Sequence, residues 1–420
     1  MLEMPSPNYE PVAVLVDPYR SGAWLASCFL SHGVSCVLVR SSLKTPFRGG
    51  NGGPYRASFL MNEGIDALIS KLRAFRVIAA VPGSEQGVEL SDQINAALNT
   101  NFANDIALSE ARRDKFLMRT QIDGCGVAQP KYNLVRRRED VRAAVASIGT
   151  SLVVKPLRGA GTHGIRVHQR LETAEEHALE LLGAKDFFGD QIDSVLLEQF
   201  IEGSVLILNS VSIGGTHALT DAWTCEKEIS SVGNIAFSYM DYLQPGDSFT
   251  EAAWSFGRNV LDALGIRNGP AHTEVLWDGK SFWLVELAAR LHGNLDPSMT
   301  LRLTGSNQIL STAKAYASGS VAGVCATRSQ GIHCRAADLI VRRSGLLGQD
   351  LDLEPVKSLR SFWSARVTAK RGDTVAATTD LLSSPGSIVL CHRHRAVVEA
   401  DYKALRNWER REYQRVLLPL

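Results

Sequence analysis

The sequence predicts an α/β protein whose first hundred residues build a parallel sheet, with α+β character in the C-terminal part. Three observations carry that expectation. Short apolar runs at 11–16, 34–39 and 76–81 have the length of buried strands. Helical patterns at 21–32, 61–73 and 91–98 alternate with them, as βαβ units of a three-layer sandwich do. Beyond about residue 331 the pattern changes to short strands and turns, then a charged helix at 401–415.

Between these ends the elements read in order. A helix-then-turn segment covers 108–135, closed by Gly124, Gly126 and Pro130. A basic stretch (Arg136, Arg137, Arg138) leads to a helix at 140–148 and a strand at 151–156. A glycine-rich loop, a returning strand at 165–168, a polar helix at 173–182 and a strand at 194–199 follow. Residues 203–290 are mostly strands, with one helix near 251–264, and residues 49–54 read as a flexible Gly/Asn loop. The segmentation expected is 1–105, 106–200 and 201–420, the last with a β-rich subdomain from about 331. No internal repeat is visible.

Composition narrows the class. The 420 residues carry 45 Lys+Arg against 44 Asp+Glu, a net charge of +1. That balance gives no global pull toward nucleic acid or an anionic membrane. A charged fraction of 21% argues against bulk disorder. No apolar stretch approaches the roughly 20 residues that span a bilayer, and no basic region followed by an apolar core marks a secretory signal. Seven scattered cysteines without a CxxC pair fit reduced thiols in a cytoplasmic protein better than disulfides or a zinc site.

The chemistry-bearing residues lie in three places. In VVKPLRGAGTHG, a buried strand ends on Lys155, followed by Gly159, Gly161 and Gly164. Glycines let backbone N–H groups approach phosphate oxygens, and an ammonium neutralises their charge. The order is not that of the Walker motif, and an ordinary hairpin with a surface lysine has the same pattern. In LLEQFIEG a strand delivers Glu198 into a bend with Phe200 and Ile201, an arrangement that suits a flat heterocycle but is common elsewhere. In GPAHTEVLWDGKSFWLVELAARLHGN, the Asp278-Gly279 turn joins two strands that carry Glu274 and Glu286. Carboxylates among Val, Leu and Trp are costly unless a cation sits between them, and hard oxygens on one sheet face suit Mg²⁺ held with phosphates. Arg290 follows, placed to clamp a phosphate bidentately. Ion pairing on a solvent-facing hairpin remains the plain alternative.

Taken together and in this order, the segments RDKFLMRTQIDGCGVAQPKY, VVKP, GAGTHG, LEQFIEG and VELAARLHGN resemble the ATP-grasp superfamily. VDPYRSGAWLASCFLSHG and GPAHTEV resemble more closely its L-amino-acid α-ligases, which make dipeptides. The resemblance spans roughly residues 10–400 and implies an ATP-grasp fold behind an N-terminal Rossmann-like domain. It implies that ATP contacts Lys115, Lys155, Gly159, Gly161, Thr162, His163, Gly164, Glu198, Phe200, Ile201 and, as a nearby ribose candidate, Glu202. It implies Mg²⁺ on Glu274 and Glu286, with Mn²⁺ as substitute. Lys155, Glu286 and Arg290 would carry catalysis, and His272, Arg290, His292 and Asn294 would line the amino-acid pocket, although a histidine beside a hairpin is as readily structural.

Two departures stand out. Ala288 occupies the place of the family's second metal ligand, and Val205 that of its ribose-binding glutamate. The segment 230–241 reads as a substrate-covering loop, unless Phe237, Tyr239 and Tyr242 pack into the core. The implied reaction activates an amino acid carboxylate as an acylphosphate and joins it to the amine of a second amino acid, releasing ADP and phosphate. The alternatives are ligation of another carboxylic acid, or nucleotide binding without catalysis. Partners are then small molecules, not nucleic acid or membrane; homodimers are common in that family.

Overall fold

The computed structural model describes residues 10–43, 52–159, 161–230, 232–293, 296–324 and 331–419. The N-terminal sheet has the order β3-β2-β1-β4, from β1 (Pro11–Val16), β2 (Ser35–Arg40), β3 (Tyr55–Leu60) and β4 (Arg76–Pro82), all parallel. Alternation along β1 explains its layers. Val12, Val14 and Val16 pack with α2 (Ile65–Leu72) and α3 (Val88–Ala97). Ala13 and Leu15 face the other way, against α1 (Leu25–Leu30) and a helix from far along the chain, described below. Each such fully buried aliphatic side chain contributes about 1.5–3 kcal/mol relative to exposure.

The second sheet is small, in the order β5-β8-β6-β7: β5 (Tyr132–Val135), β6 (Leu152–Pro156), β7 (Arg166–His168) and β8 (Val195–Gln199). Its core is closed by α5 (Val141–Ile148) and α6 (Leu171–Leu181). Helix α4 (Lys115–Ile122) precedes this sheet in sequence but packs elsewhere. Its Met118 and Ile122 join the core of the third sheet.

That third sheet has eight strands, ordered β13-β12-β9-β10-β11-β14-β18-β16. They are β9 (Ser204–Ile213), β10 (Thr216–Ile229), β11 (Ile235–Tyr242), β12 (Gly269–Trp277), β13 (Phe282–Ala288), β14 (His333–Asp338), β16 (Phe362–Val367) and β18 (Gly386–His392). Alternation again sorts the faces: Leu206 and Leu208 meet α7 (Ser248–Ala263), while Val205 and Ile207 meet α8 (Pro297–Thr304). Thus the strands after residue 331 extend the central sheet. β15 (Gly345–Leu347), β17 (Thr374–Val375) and β19 (Leu417–Leu418) form a minor sheet, while α10 (Glu354–Lys357) contacts β16 and α11 (Arg395–Val416) contacts β14 and β18.

Three elements depart from the sequence reading. β3 (YRASFL) pairs with β2 although its side chains are only partly covered, so it lacks the apolar run of a buried strand. Helices α8 and α9 (Gln308–Ser318) occupy a stretch with no predicted element. Ile309, Ala313 and Tyr316 of α9 pack with Phe29 of α1, tying the N-terminal sheet to the central one. Residues 49–51 of the Gly/Asn loop lie outside the described residues. No helix among the described residues is long and apolar enough to cross a membrane, and the six described cysteines are free.

Candidate active site

Lys155 is the last side chain of β6 before Pro156, and Glu198 stands on the antiparallel neighbour β8. Lys155 Nζ lies 2.6 Å from Glu198 Oε2. The other carboxylate oxygen accepts from Arg119 Nε of α4 at 2.8 Å. Burial alone would raise the Glu198 carboxyl, but Arg119 and then Lys155 hold it at about 2. Burial drives the Lys155 ammonium down to about 8 against the pull of Glu198. Glu198 is therefore not free to pair with a base edge; its carboxylate holds two cations in place beneath the cavity. Phe200 and Ile201, just after it, do line the cavity.

The hairpin places Glu274 and Glu286 directly opposite each other in register. Each carboxylate meets its own lysine: Lys227 Nζ is 3.4 Å from Glu274, and Lys115 Nζ is 2.9 Å from Glu286. Burial would raise the Glu274 carboxyl, yet Lys227 and His272 hold it well below the usual range. Both acids keep part of their surface toward the cavity, at 20% and 27% side-chain exposure, so their oxygens remain available to a ligand. Two facing carboxylates are hard donors that fit a divalent cation such as Mg²⁺ if phosphate oxygens and water complete its shell. Ala288, opposite His272, adds no donor.

Beyond the hairpin, Arg290 Nε donates to Glu85 Oε2 at 2.8 Å. Glu85 comes from the segment after β4 and is also 3.6 Å from Arg113. Burial opposes its ionisation, but Arg290, Arg113 and Lys115 keep it ionised below its ordinary range. The rings of His272 and His292 stack 4.4 Å apart. Asn209 stands 3.0 Å from His272 Nδ1 and 3.3 Å from His292 Nδ1, and donates to Asp221. Burial, then the charges of His272 and Arg290, keep His292 neutral. His292 thus joins the cavity wall as a neutral ring stacked on His272.

The glycine loop is docked onto a turn some 220 residues later in the chain. Gly161 (φ +64°) and Thr162 (φ +61°) hold left-handed backbone. Leu381 N–H donates to the Gly161 carbonyl at 3.1 Å, and His163 Nδ1 lies 3.3 Å from Asp380. A Cβ on Gly161 would fall 2.7 Å from Leu382 Cγ, so only glycine fits there. Gly164 packs behind the loop against Pro156 and Leu181.

One cavity of about 340 Å³ collects these groups. Lys115, Lys155, Gly159, Gly161, Thr162, His163, Glu198, Glu274, Glu286, His272, His292 and Arg290 all border it. Glu202 does not: it is exposed and does not line the cavity, so its expected nucleotide contact has no support in its placement. Asn294 lies outside the described residues. The segment 230–241 is mostly strand β11 rather than a covering loop, with Ser231 outside the described residues. Phe237 reaches the cavity, whereas Tyr239 packs on Tyr402 and Tyr242 on Trp223. Arg20, Ser84, Glu85, Leu381 and Leu382 also border it without having been singled out. Arg20 lies in the VDPYRSGAWLASCFLSHG segment, whereas Ser84, Glu85, Leu381 and Leu382 follow no motif and reach the site through the fold alone.

A sequence profile for the ATP-grasp (A) domain of phosphoribosylglycinamide synthetase matches residues 113–225. Dapdiamide A synthase of Enterobacter agglomerans is 28% identical over 411 residues, 96% of both chains. Alanine–anticapsin ligase of Bacillus subtilis is 26% identical over 214 residues, 46% of this chain and 44% of that one. Among solved structures, L-amino acid ligase from Bacillus licheniformis superposes with a TM-score of 0.73 at 18% identity, covering 95% of this chain and 97% of that one. N5-carboxyaminoimidazole ribonucleotide synthetase from Thermus thermophilus gives 0.65 at 16%, covering 97% and 99%. The chain has the ATP-grasp fold, and its residues 113–225 match the ATP-grasp (A) domain of phosphoribosylglycinamide synthetase.

Proposed function

We propose that this protein is an ATP-dependent carboxylate–amine ligase that joins an amino acid carboxylate to the amine of a second amino acid. The observation that carries this reading is the single cavity in which two lysines, two facing carboxylates and an arginine meet beneath a docked glycine loop. Such a set answers the charge of a transferring phosphoryl group. The name of the alanine–anticapsin ligase states a joining of alanine to a second molecule, which supports the substrate class.

In this reading Lys115 and Lys155 meet the nucleotide phosphates, and Arg290, steadied by Glu85, holds the group in transfer. Glu274 and Glu286 would hold Mg²⁺, whose charge would offset that of the phosphates. The donor carboxylate takes the γ-phosphoryl group and ADP leaves. The acceptor amine then attacks the acyl carbon; the C–N bond forms, the C–O bond to phosphate breaks, and phosphate departs. The glycine loop, seated on Leu381 and Leu382, keeps water from the acylphosphate. Residues 106–200 would supply the lid and 1–105 the substrate-facing domain, and free thiols suit a reducing, cytoplasmic setting.

The test is phosphate release from Mg-ATP with single L-amino acids and their pairs, products identified by mass. ADP and a product equal to the sum minus water are expected for particular pairs. AMP and pyrophosphate, or no turnover with any pair, would overturn the proposal.

A further inference from the structure

One rung of the central sheet carries three buried polar side chains behind the cavity. Asp221 of β10 stands opposite Asn209 of β9, and Asn209 stands opposite His272 of β12. Side chains level with one another on neighbouring strands share a face and interact. Asn209 is fully buried and does not border the cavity, whereas the rings of His272 and His292 do.

One assignment of donors and acceptors satisfies this rung. Asp221 accepts from the Trp223 indole Nε1–H at 2.6 Å and from Thr220 Oγ1 at 3.0 Å. The Asn209 amide nitrogen donates to the same carboxylate at 2.5 Å. The Asn209 carbonyl is then turned toward His272 Nδ1, 3.0 Å away, which donates to it. The second amide N–H of Asn209 is left for His292 Nδ1, 3.3 Å away, which accepts. A ring that accepts at Nδ1 is neutral and carries its proton on Nε2. That Nε2 has no hydrogen-bond partner among the described residues. The main chain of His292 is also held, its N–H by Gln308 of α9 at 2.8 Å and its carbonyl by Ser21 Oγ at 2.6 Å. Arg290 is close enough for its charge to act on the ring.

We propose that Asn209 is a positioning residue that fixes the proton of His292 on Nε2, and that this N–H donates to an oxygen of the acyl group in transfer. The inference rests on the ligase reading, in which the acylphosphate lies beside Arg290. When the amine attacks, the acyl oxygen becomes an oxyanion. A donor set in place before that charge appears stabilises it without reorganising. The opposite tautomer would turn a lone pair toward the same charge.

A long-range ¹H–¹⁵N correlation spectrum of the ¹⁵N-histidine-labelled protein reads the tautomer, with His292 assigned by its loss in His292→Gln. The wild-type protein should show the His292 proton on Nε2, and Asn209→Leu should remove that preference; the wild-type spectrum decides the assignment even if Asn209→Leu fails to fold. In ligation assays His292→Phe should lower kcat by about 100–1,000-fold, the loss expected for one oxyanion donor, with the KM for ATP unchanged. His292→Gln, whose amide N–H stands near the place of Nε2, should lose only about tenfold. Asn209→Leu should lower kcat at least tenfold alone and add nothing on top of His292→Phe. A wild-type His292 protonated on Nδ1, or losses that multiply in the double variant, would overturn the proposal while leaving the ligase reading intact. Absence of turnover in the wild-type protein would overturn the ligase reading and the donor role with it, and the tautomer would still be decided by the spectrum.

Discussion

Glu198→Gln tests the idea that one buried carboxylate tunes a phosphate-binding lysine. At the 2.6 Å separation of Lys155 and Glu198, an effective dielectric near 20 gives an attraction of about 6 kcal/mol. Part of that offsets desolvation, and removing one partner of such a pair typically costs about 3–5 kcal/mol. Arg119 would keep its charge nearby, with its Nη1 already lacking a partner among the described residues. Lys155 starts at about 8, and losing about 3 kcal/mol of stabilisation of the ammonium lowers it by about 2 units, at about 1.4 kcal/mol each.

The sign follows. The ammonium that meets phosphate exists below its pKa, so wild-type ATP affinity holds below about pH 8 and weakens above it. In the variant the break moves to near pH 6, so affinity at pH 7.5 falls by about 20–30-fold and recovers near pH 5.5. Calorimetric titration with ATP from pH 5.5 to 9 measures it, with circular dichroism confirming that the variant is folded. A loss equal at every pH, or none, would refute the reasoning.

Other consequences follow from neighbouring groups. Arg290→Ala and Glu286→Gln should each reduce kcat at least 1,000-fold with the melting temperature little changed, since both border the cavity that would take the phosphates in the proposed reaction; near-normal turnover would remove them from the site. Gly161→Ala forces a left-handed φ of +64° and a 2.7 Å clash onto Leu382; about tenfold slower ligation, with phosphate released in excess over product, is expected from a loop that no longer seats. Product and phosphate remaining equal would contradict that. His168 Nε2 of β7 and His177 Nδ1 of α6 lie 3.1 Å apart, and burial depresses His177 to about 3 and lowers His168 as well. The unfolded chain binds more protons below about pH 6.5, so stability is full above that pH and falls toward pH 3 by up to about 1.4 kcal/mol per unit for each histidine. His177→Leu should flatten that acid limb in thermal melts; an unchanged slope would rule the pair out.

The parts of this fold visible in the sequence are those set by local pattern. Val12–Val16 alternation, the Lys155 strand and the Asp278-Gly279 hairpin each follow from period or turn chemistry within a dozen residues. What escaped depends on partners distant in sequence. β3 is held by pairing rather than by apolar side chains, and α9 takes its meaning from Phe29, almost 300 residues earlier. In the site, Glu274 and Glu286 were legible because one hairpin carries both. Glu85 and Ser84 were not, because nothing in their local sequence shows that the N-terminal sheet faces Arg290. The Glu198 position was legible but its ion pairs were not, since its two cations come from α4 and β6.

The central claim is that a carboxylate is phosphorylated before the amide forms. Turnover with a donor amino acid labelled with ¹⁸O in its carboxylate tests it most directly. The account predicts that one labelled oxygen leaves with each phosphate while ADP accumulates. Unlabelled phosphate beside amide product, or label appearing in AMP, would contradict it.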